Sequence, residues 1–553
     1  MTQVALWDSF PPGFLPDWLN DSAWKGKETG LYPFEGSSTD WDSLLQNAVN
    51  FSTEMRSILV SVIQKQSNHW LSSAQKQSLQ ILSQTNAFTV TTGQQLHFDL
   101  GPAYVFFKIT SAISLANDLQ LMYPNYRFVP LFWMASEDHD FQEISTSQLF
   151  NQTWNWEKND AESGAVGRLS TQSLIPWLNW LRDFFNNNQE ALQELAVLEQ
   201  NIQSNTPKLA DFVQSWILRI FENTPLLVVN PDSQELKQRM VPLFMAEIEH
   251  GIVQELVEKQ NRQLLAKSLS PEAYVRRCNL FYLTDHLRDR MEVKEGVVTT
   301  VTSGRRWSMT EIETELREYP QRFSPNVLFR PLYQQTILPN IAYIAGPSEF
   351  KYWLQIPEAL KFNGLIQPSL VLRKSGIFLS LSLHKKLKKW DLSVWDMFAL
   401  NEKELQHQML TKINQQFVLD QDLTELQNRL ESIYTQLYML KSESLKGFKQ
   451  QGDKLVSELG RVVKSERELL LNRGISAAEW HSIQQLQSTI ANQSAPQERR
   501  FHWIQQYFKS IENFKSMIDV MTHPDAGTGT HHSSPSGNSQ LPYFQSPFLL
   551  VVE

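Results

Sequence analysis

The chain has 553 residues, 41% of them hydrophobic and 20% charged, a composition that suits about two to four folded domains. Its net charge of −9 and pI of about 5.8 exclude the basic surface of a typical nucleic-acid-binding protein. The single cysteine, Cys278, excludes an internal disulfide framework and a multi-cysteine zinc site, and no stretch reaches the roughly 18 apolar residues of a membrane span. Asp8 interrupts any signal-peptide core, so we expect a cytoplasmic protein.

The N-terminal part of the chain is predicted to be helical and to lead into a βαβ unit. Residues 1–80 contain apolar residues at helical spacing. Residues 88–92 form a β-rich run, residues 103–119 a helical run, and residues 128–135 an almost wholly apolar run. Continuous apolar strands are typical of parallel sheets covered on both faces. The segment therefore predicts an α/β core of strand, loop, helix and strand.

The fold predicted from the whole pattern is α/β, with a Rossmann-like parallel-sheet core and two inserted regions. Further strand candidates occur at 225–229, 341–345, 369–372 and 548–552. The predicted boundaries are a helical region at 1–80, core parts at 81–150, 206–245 and 321–385, insertions at 151–205 and 246–320, a helical domain at 386–522, a linker at 523–540 and a returning C-terminal strand at 541–553. Two adjacent histidines, His531 and His532, lie in the linker without supporting ligands, so we predict no metal site there.

A leucine-rich stripe in the C-terminal helical region predicts a coiled coil. Its apolar residues are spaced alternately three and four apart, at Leu423, Leu426, Leu430, Ile433, Leu437 and Leu440. Such a stripe forms either a packed helix pair within one chain or a seam between two subunits. We expect a homodimer through this seam.

The loop after the first predicted strand is a candidate binding segment, because ligands of open α/β sheets bind at the carboxyl ends of strands. Gly93 and Gly101 allow close backbone approach, and Gln94, Gln95 and His97 offer donors. The following helix start presents free N–H groups, which suit a phosphate or a carboxylate. A structural turn would explain the two glycines equally well.

The loop after the second predicted strand is the strongest catalytic candidate. Ser136 is followed by Glu137, Asp138, His139 and Asp140. Carboxylates this close repel one another, which raises at least one pKa and provides a general base or an ammonium site. His139 is the best single base candidate. A metal site and an ordinary solvated loop are the alternatives.

Two further segments also follow predicted strands. Ser348 and Glu349 lie at a predicted helix start, where capping residues are favoured. Arg373 and Lys374 supply cations for a carboxylate or a phosphate, and Arg330 is a weaker addition.

The chain resembles the bacillithiol biosynthesis cysteine-adding enzyme family, BshC. The residues that carry the resemblance are TTGQQ and GPAYVFFK within 91–108, VPLFWMASEDHDFQEI at 129–144, the run at 323–349 and YWLQ at 352–355. These segments add Tyr104, Lys108 and Tyr352 to the candidate binding residues. The resemblance implies a core similar to class I aminoacyl-tRNA synthetases and nucleotidylyltransferases, with a dimerising coiled coil.

The resemblance also implies a reaction. The family is expected to join the carboxylate of L-cysteine to the amine of glucosaminyl malate, giving bacillithiol, with a nucleotide such as ATP or ADP as a plausible ligand. This sequence departs from the family after GQQ, where it reads LHFDLGPAY instead of a form like PGLFGGPLY, and has GPSE where GGAE is common. No KMSKS-like loop is present, so the activating cofactor stays undefined. A nucleotidylyl- or aminoacyl-transferase, a metal-dependent amide hydrolase and a non-catalytic coiled-coil scaffold are the alternatives.

Overall fold

A computed structural model describes residues 3–6, 40–67, 69–150, 152–158, 164–203, 208–413, 419–439, 445–474, 476–490, 496–522 and 548–552. These residues form two compact units. The first runs to Phe378 and resumes at Glu498, and the second comprises the described part of Leu379–Gln497. The predicted linker with His531 and His532 lies outside the described residues. Among the described helices, none has both the length and the hydrophobicity needed to cross a membrane.

The first unit begins with a short strand and three helices. Their bounds are β1 Gln3–Leu6, α1 Trp41–Ala48, α2 Thr53–Ser67 and α3 Ser73–Leu82. The side chain of Ser72 accepts a hydrogen bond from the N–H of Gln75, and the Gln75 side chain accepts one from the N–H of Ser72, which fixes the start of α3. Leu44 and Leu45 of α1 are buried in the same apolar cluster as Phe88.

The predicted strand–loop–helix–strand unit is present as β2 Ala87–Gln94, α4 Ala103–Met122 and β3 Arg127–Met134. The two strands pair in parallel along their whole length. Both are buried almost throughout, which explains why their sequences are continuously apolar instead of alternating. Helix α4 lies between the sheet and a later helix, so most of its surface is buried too.

The chain then passes through a helical excursion before it adds another core strand. Its elements are α5 Phe141–Ile144, β4 Thr146–Leu149, β5 Gln152–Asn155, α6 Ile175–Phe184, α7 Gln189–Gln203, α8 Leu209–Ile220 and β6 Leu227–Val229. Strand β6 pairs in parallel with β3, and the short β4 and β5 pair antiparallel. The excursion therefore returns the chain to the sheet beside β3.

The next region contains three helices followed by an antiparallel sheet. Its elements are α9 Gln234–Gln238, α10 Val241–His250, α11 Gln254–Ala266, β7 Leu280–Leu283, β8 Arg288–Lys294, β9 Val297–Thr300, β10 Arg306–Ser308, α12 Met309–Glu318 and β11 Phe323–Pro325. The sheet has the order β10-β9-β8-β7-β11. It is separate from the parallel sheet and contributes residues to the candidate site.

The core is completed by α13 Arg330–Ile337, β12 Asn340–Ala345, α14 Pro347–Trp353, α15 Pro357–Phe362 and β13 Ser369–Leu372. The parallel sheet has the order β13-β12-β2-β3-β6, which confirms the predicted Rossmann-like α/β core. Strands β3 and β6 add on one side of β2, and β12 and β13 then add on the other side. This reversal of strand order opens a crevice at the carboxyl ends of β2 and β12.

A second small sheet contains the two ends of the described chain. It has the order β1-β15-β14, where β14 is Gly376–Ser380 and β15 is Phe548–Val552. The predicted C-terminal strand therefore forms, but it pairs antiparallel with β1 and does not extend the parallel sheet. Its apolar sequence did not distinguish between these two sheets.

The second unit is helical. Its helices are α16 Leu381–Lys389, α17 Asp396–Ala399, α18 Glu402–Ile413, α19 Leu419–Met439, α20 Leu445–Gly474 and α21 Ala477–Ile490. Helices α19 and α20 contact each other, and the Tyr434 hydroxyl donates to the Lys449 carbonyl oxygen at 3.2 Å. Ile433 of the predicted seam is 40% exposed, and Leu440 lies outside the described residues. The coiled coil and the homodimer stay predictions.

After the second unit the chain returns to the first and forms α22 Ile504–Lys509 and α23 Ile511–Thr522. Trp503 is buried and stacks on Phe514 with ring centroids 5.4 Å apart. Glu498 forms a buried, two-pronged ion pair with Arg373, in which Nη2 lies 2.5 Å from Oε1 and Nη1 lies 3.0 Å from Oε2. The pair ties this returning segment to the end of β13.

We expect Glu498→Gln to destabilise the first unit by about 3–5 kcal/mol, because it leaves the Arg373 cation buried without a counter-charge. The double variant Arg373→Met/Glu498→Leu should lose less, since it removes both charges. Urea unfolding measures both, with Glu425→Gln at the exposed Arg429 pair as the control. A loss below about 1 kcal/mol for Glu498→Gln, the range of exposed pairs, would contradict this role.

Candidate active site

A cavity of about 1170 Å³ lies at the carboxyl edge of the parallel sheet. Its floor is formed where the core strands end, with Gly93 in the last two residues of β2, Ala135 after β3, Gly346 after β12 and Arg373 after β13. The opposite wall is formed by the antiparallel sheet and by the residues that precede and follow its strands. That wall includes Arg276, Cys278, Asn279, Phe281, Arg288, Arg290 and Asn326.

The glycine loop and α4 are joined beneath the cavity by Lys108. Its Nζ donates to the Gly93 carbonyl oxygen and to Gln94 Oε1, the latter at 2.9 Å, and lies 2.5 Å from Glu349 Oε2. Burial lowers the pKa of Lys108, and the Glu349 carboxylate opposes this effect. Glycine suits position 93, because a Cβ would lie 3.1 Å from the Trp133 carbonyl oxygen, closer than most Cβ contacts. Lys108 is therefore a buried structural cation that also lines the cavity.

Glu349 links the same network to the start of α14. Its Oε1 accepts from the Tyr343 hydroxyl at 2.8 Å, and its Oε2 accepts from the Gly346 N–H at 2.8 Å. Glu349 and Ser348 thus lie at a helix start, as predicted, and both line the cavity. The Gln94 side chain donates to the Tyr104 hydroxyl at 3.0 Å, which holds Tyr104 at the same wall.

In the acidic loop, Asp138 is engaged by donors on several sides. Its carboxylate accepts from the Gln95 side chain, from Arg288 Nη1 at 3.1 Å and from the His139 N–H at 2.7 Å. These contacts hold the pKa of Asp138 well below its usual value although burial acts to raise it. The expectation that crowded carboxylates raise a pKa therefore does not apply to Asp138, because cationic and N–H donors outweigh the repulsion.

The other three residues of the acidic loop have separate roles. Glu137 lies 2.6 Å from the buried Lys237 Nζ, and His139 is half-exposed at the cavity wall with Nδ1 3.2 Å from Arg288 Nη1. Asp140 does not line the cavity, because its carboxylate caps α5 by accepting from the Glu143 N–H at 3.2 Å. Three of the four predicted catalytic residues therefore reach the site.

Glu143 is the carboxyl group whose pKa is raised at this wall. Burial is the main cause, and the negative charges of Asp138 and Asp140 add to it. Glu143 lines the cavity one turn beyond the acidic loop. The sequence analysis did not select it, although the same acidic motif contains it.

The cations that the sequence predicted for ligand binding form ion pairs or hydrogen bonds with other groups of the protein. Arg373 lines the cavity but pairs with Glu498. Arg330 also lines it, donates to the Tyr352 hydroxyl at 2.9 Å and lies over the Tyr343 ring. Lys374 points into the interior, where its Nζ donates to Ser114 Oγ at 2.9 Å, so its predicted binding role is not supported by its position.

Three other predicted residues lie outside this cavity. Ser136 is buried and donates to Asn230 Oδ1 at 2.5 Å. His97 and Gly101 line a second, smaller cavity. Near the start of α4, which was expected to bind an anion, two N–H groups already have partners within the protein. The Gly101 N–H donates to Asp99 Oδ1 at 2.9 Å, and the Ala103 N–H donates to the Phe501 carbonyl oxygen at 2.7 Å. These two N–H groups do not fit a nucleotide phosphate.

Several cavity residues were missed. They are Arg276, Asn279, Arg288, Arg290, Asn326 and Arg499, besides Glu143. Arg288 lies in a region read as an insertion, and its guanidinium covers the Phe281 ring at 4.1 Å. Arg499 follows the whole second unit in sequence. No local motif marks either residue, since only the tertiary fold brings them to the strand ends.

Comparison with known proteins matches this architecture to one family. Residues 25–374 match the family model described as bacillithiol biosynthesis BshC, N-terminal Rossmann-like domain. Relatives named cysteine ligase BshC include one from Flavobacterium johnsoniae, 31% identical over 480 residues that cover 86% of this chain and 89% of the relative. Others are from Flavobacterium psychrophilum, 30% identical with the same coverage, and Bacillus thuringiensis, 25% identical over 82% of this chain and 86% of the relative.

The buried position of Lys374 predicts a pH-dependent change in the free energy of unfolding. Burial lowers its pKa from 10.5 to about 8. As pH rises from 8 to 10.5, folded Lys374 loses its proton before the unfolded chain does, so the free energy of unfolding should rise by about 3 kcal/mol. Urea unfolding across this range should show the rise for the wild type and for the exposed-site control Lys267→Met, and not for Lys374→Met. Equal pH profiles for all three would place Lys374 in solvent.

Proposed function

Because this chain belongs to the BshC family of bacillithiol biosynthesis proteins, we propose that it is a cysteine ligase. In this proposal it joins the carboxyl group of L-cysteine to the amine of glucosaminyl malate, which completes bacillithiol. The observation that carries the assignment to this cavity is that Asp138 and Glu143 line it together, where Gln95 and Arg288 donate to the Asp138 carboxylate and burial raises the pKa of Glu143. Family membership supports the ligase class, and the pair supports the chemistry at the acceptor amine.

The two carboxyl groups suit the two things that an amine acceptor requires. The amine arrives as an ammonium ion, which the ionised Asp138 holds by charge. It must then lose a proton before its nitrogen lone pair can attack. Glu143 accepts that proton more readily than an unperturbed glutamate because its pKa is raised towards the working pH. His139, at the same wall, is a second acceptor within the proposed site.

The acceptor nitrogen forms a C–N bond to the cysteine carbonyl carbon, and the bond from that carbon to an activated leaving oxygen breaks. The ammonium group loses two protons on the way to the amide: the first passes to Glu143 before the attack, and the second leaves with the departing oxygen. A free carboxylate is a poor acyl donor, so the reaction takes a nucleoside triphosphate as co-substrate, and the leaving oxygen departs with its phosphoryl-containing group. The residues of this chain act on the amine side of that step.

The size and charge of the cavity support two small substrates. Its volume of about 1170 Å³ exceeds the roughly 300–1,000 Å³ of typical small-molecule pockets. Arg276 on the wall opposite the strand ends provides positive charge for a substrate anion, whereas Arg288 and Arg290 are paired with Asp138 and Glu292.

The proposal extends to location and assembly. The single cysteine suits a cytoplasmic enzyme. A homodimer through the seam of α19 and α20 would cover Ile433 and Leu455, which are 40% and 53% exposed in the single chain.

Glu143→Gln, Asp138→Asn and His139→Ala test the assignment. A lost general base typically costs about 10²–10⁴-fold in rate, so at least one of these variants should lower bacillithiol formation by at least about a hundredfold. The readout is mass spectrometry of small thiols in a bacillithiol-deficient bacterium that expresses each variant, with Glu258→Gln on the exposed face of α11 as the control. Soluble, folded variants that all restore wild-type bacillithiol levels would remove the chemistry from this wall.

A further inference from the structure

A second cavity of about 360 Å³ adjoins the main one. The two share Gln94, Gln95, Tyr104, Glu143 and Arg499 among their lining residues. The second cavity is lined in addition by His97, Arg500 and His502. A ligand that lies across the shared residues would therefore reach both cavities.

One buried carboxylate fixes the two histidines. His97 Nδ1 lies 2.5 Å from Asp99 Oδ1, and His502 Nδ1 lies 2.6 Å from Asp99 Oδ2. Ser147 Oγ also donates to Oδ2, and the Gly101 N–H donates to Oδ1 at 2.9 Å. Asp99 therefore orients the two rings.

With Nδ1 of each ring against Asp99, Nε2 is the nitrogen that is left for a ligand. Both histidines line the second cavity, whereas Asp99 does not. The other ionisable groups that line it are Arg499, Arg500, Glu143 and Tyr104. Cationic and protonatable nitrogen groups therefore outnumber the single lining carboxylate, which suits an anion.

We propose that this second cavity binds the carboxylates of the malyl group of the acceptor, with His97 and His502 donating from Nε2 as protonated rings and Arg499 at the junction of the two cavities. The inference rests on the proposed function and names the subsite of its acceptor. The malyl carboxylates take no part in amide formation and must lie away from the reacting carbon. Glu143 borders both cavities, so the acceptor amine lies at Asp138 and Glu143 while its anionic end occupies the neighbouring space.

The contacts of the other cations support this placement of the malyl carboxylates. Arg373 is paired with Glu498, Lys108 with Glu349, and Lys374 is turned into the interior. Arg373 and Lys374 were expected to bind a carboxylate or a phosphate, and Lys108 was a candidate binding residue. Because each of the three already serves the fold, the malyl carboxylates are assigned to the two histidines and Arg499.

Calorimetric titration of the purified full-length protein with L-malate tests the subsite. His97→Gln, His502→Gln and the exposed-site variant Arg499→Gln should each weaken malate binding by about tenfold or more, the value of a charge-assisted hydrogen bond. His250→Gln, whose residue lines neither cavity, should bind like the wild type. Circular dichroism shows whether the histidine variants are folded, and Arg499→Gln keeps the test valid if they are not. Unchanged affinity in Arg499→Gln and in the folded histidine variants would overturn the proposal.

The pH dependence separates the histidines from Glu143. Wild-type affinity for malate should be higher at about pH 6 than at about pH 8, because Nδ1 of each ring faces Asp99 and Nε2 therefore donates only when the ring is protonated. Glu143→Gln should keep this dependence and the double variant His97→Gln/His502→Gln should lose it. Inorganic phosphate is titrated in parallel. Tighter binding of phosphate than of malate, with the same loss in the variants, would assign the cavity to a phosphoryl group and overturn the malyl assignment.

The result is distinguishable from failure of the proposed function. Bacillithiol formation without histidine-dependent malate binding would refute the subsite and leave the ligase assignment standing. Histidine-dependent malate binding by a protein that forms no bacillithiol would support the carboxylate subsite and refute the ligase.

Discussion

The buried Lys108–Glu349 ion pair is the interaction on which the geometry of the site depends. Removing an ammonium ion from water costs several kcal/mol, and here that cost is offset by Glu349, by the Gly93 carbonyl oxygen and by the Gln94 side chain. The groups come from the end of β2, the second turn of α4 and the start of α14, so the pair holds three chain segments together at the carboxyl edge of the sheet. It also explains why Lys108, which contacts the glycine loop from α4, is not available as an anion receptor.

Charge pairing of this kind divides the cavity into two functional sides. On the strand side, Lys108 and Arg373 are neutralised by partners within the protein, and the carboxyl groups with opposite pKa shifts are Asp138 and Glu143. On the opposite side, Arg276 lines the cavity, and Arg288 of the antiparallel sheet pairs with Asp138. The antiparallel sheet and its flanking residues therefore supply positive groups and the parallel core supplies carboxyl groups, a division that suits the proposed acceptor, an anionic substrate whose amine must be deprotonated.

The sequence predicts much of the fold because the core strands are buried on both faces and read as continuous apolar runs, as Phe128–Met134 shows. It also predicts where the site lies, since residues that follow parallel strands meet at one edge. The roles of individual residues were harder to predict from the sequence. Arg373 was expected to bind a substrate anion, but its partner Glu498 comes from a segment beyond the whole second unit, and the apolar β15 joins β1 in a small antiparallel sheet. Local patterns do not encode such distant partners.

The central claim is that the crevice at the sheet edge joins cysteine to an amine acceptor. The most direct measurement is reconstitution with purified protein, L-cysteine, glucosaminyl malate and ATP, followed by mass spectrometry. The account predicts an amide product with the mass of bacillithiol that requires all three small molecules and decreases by at least about a hundredfold with Glu143→Gln or Asp138→Asn. Absence of the amide under conditions in which a BshC relative forms it, or its formation at the wild-type rate by both variants, would contradict the account.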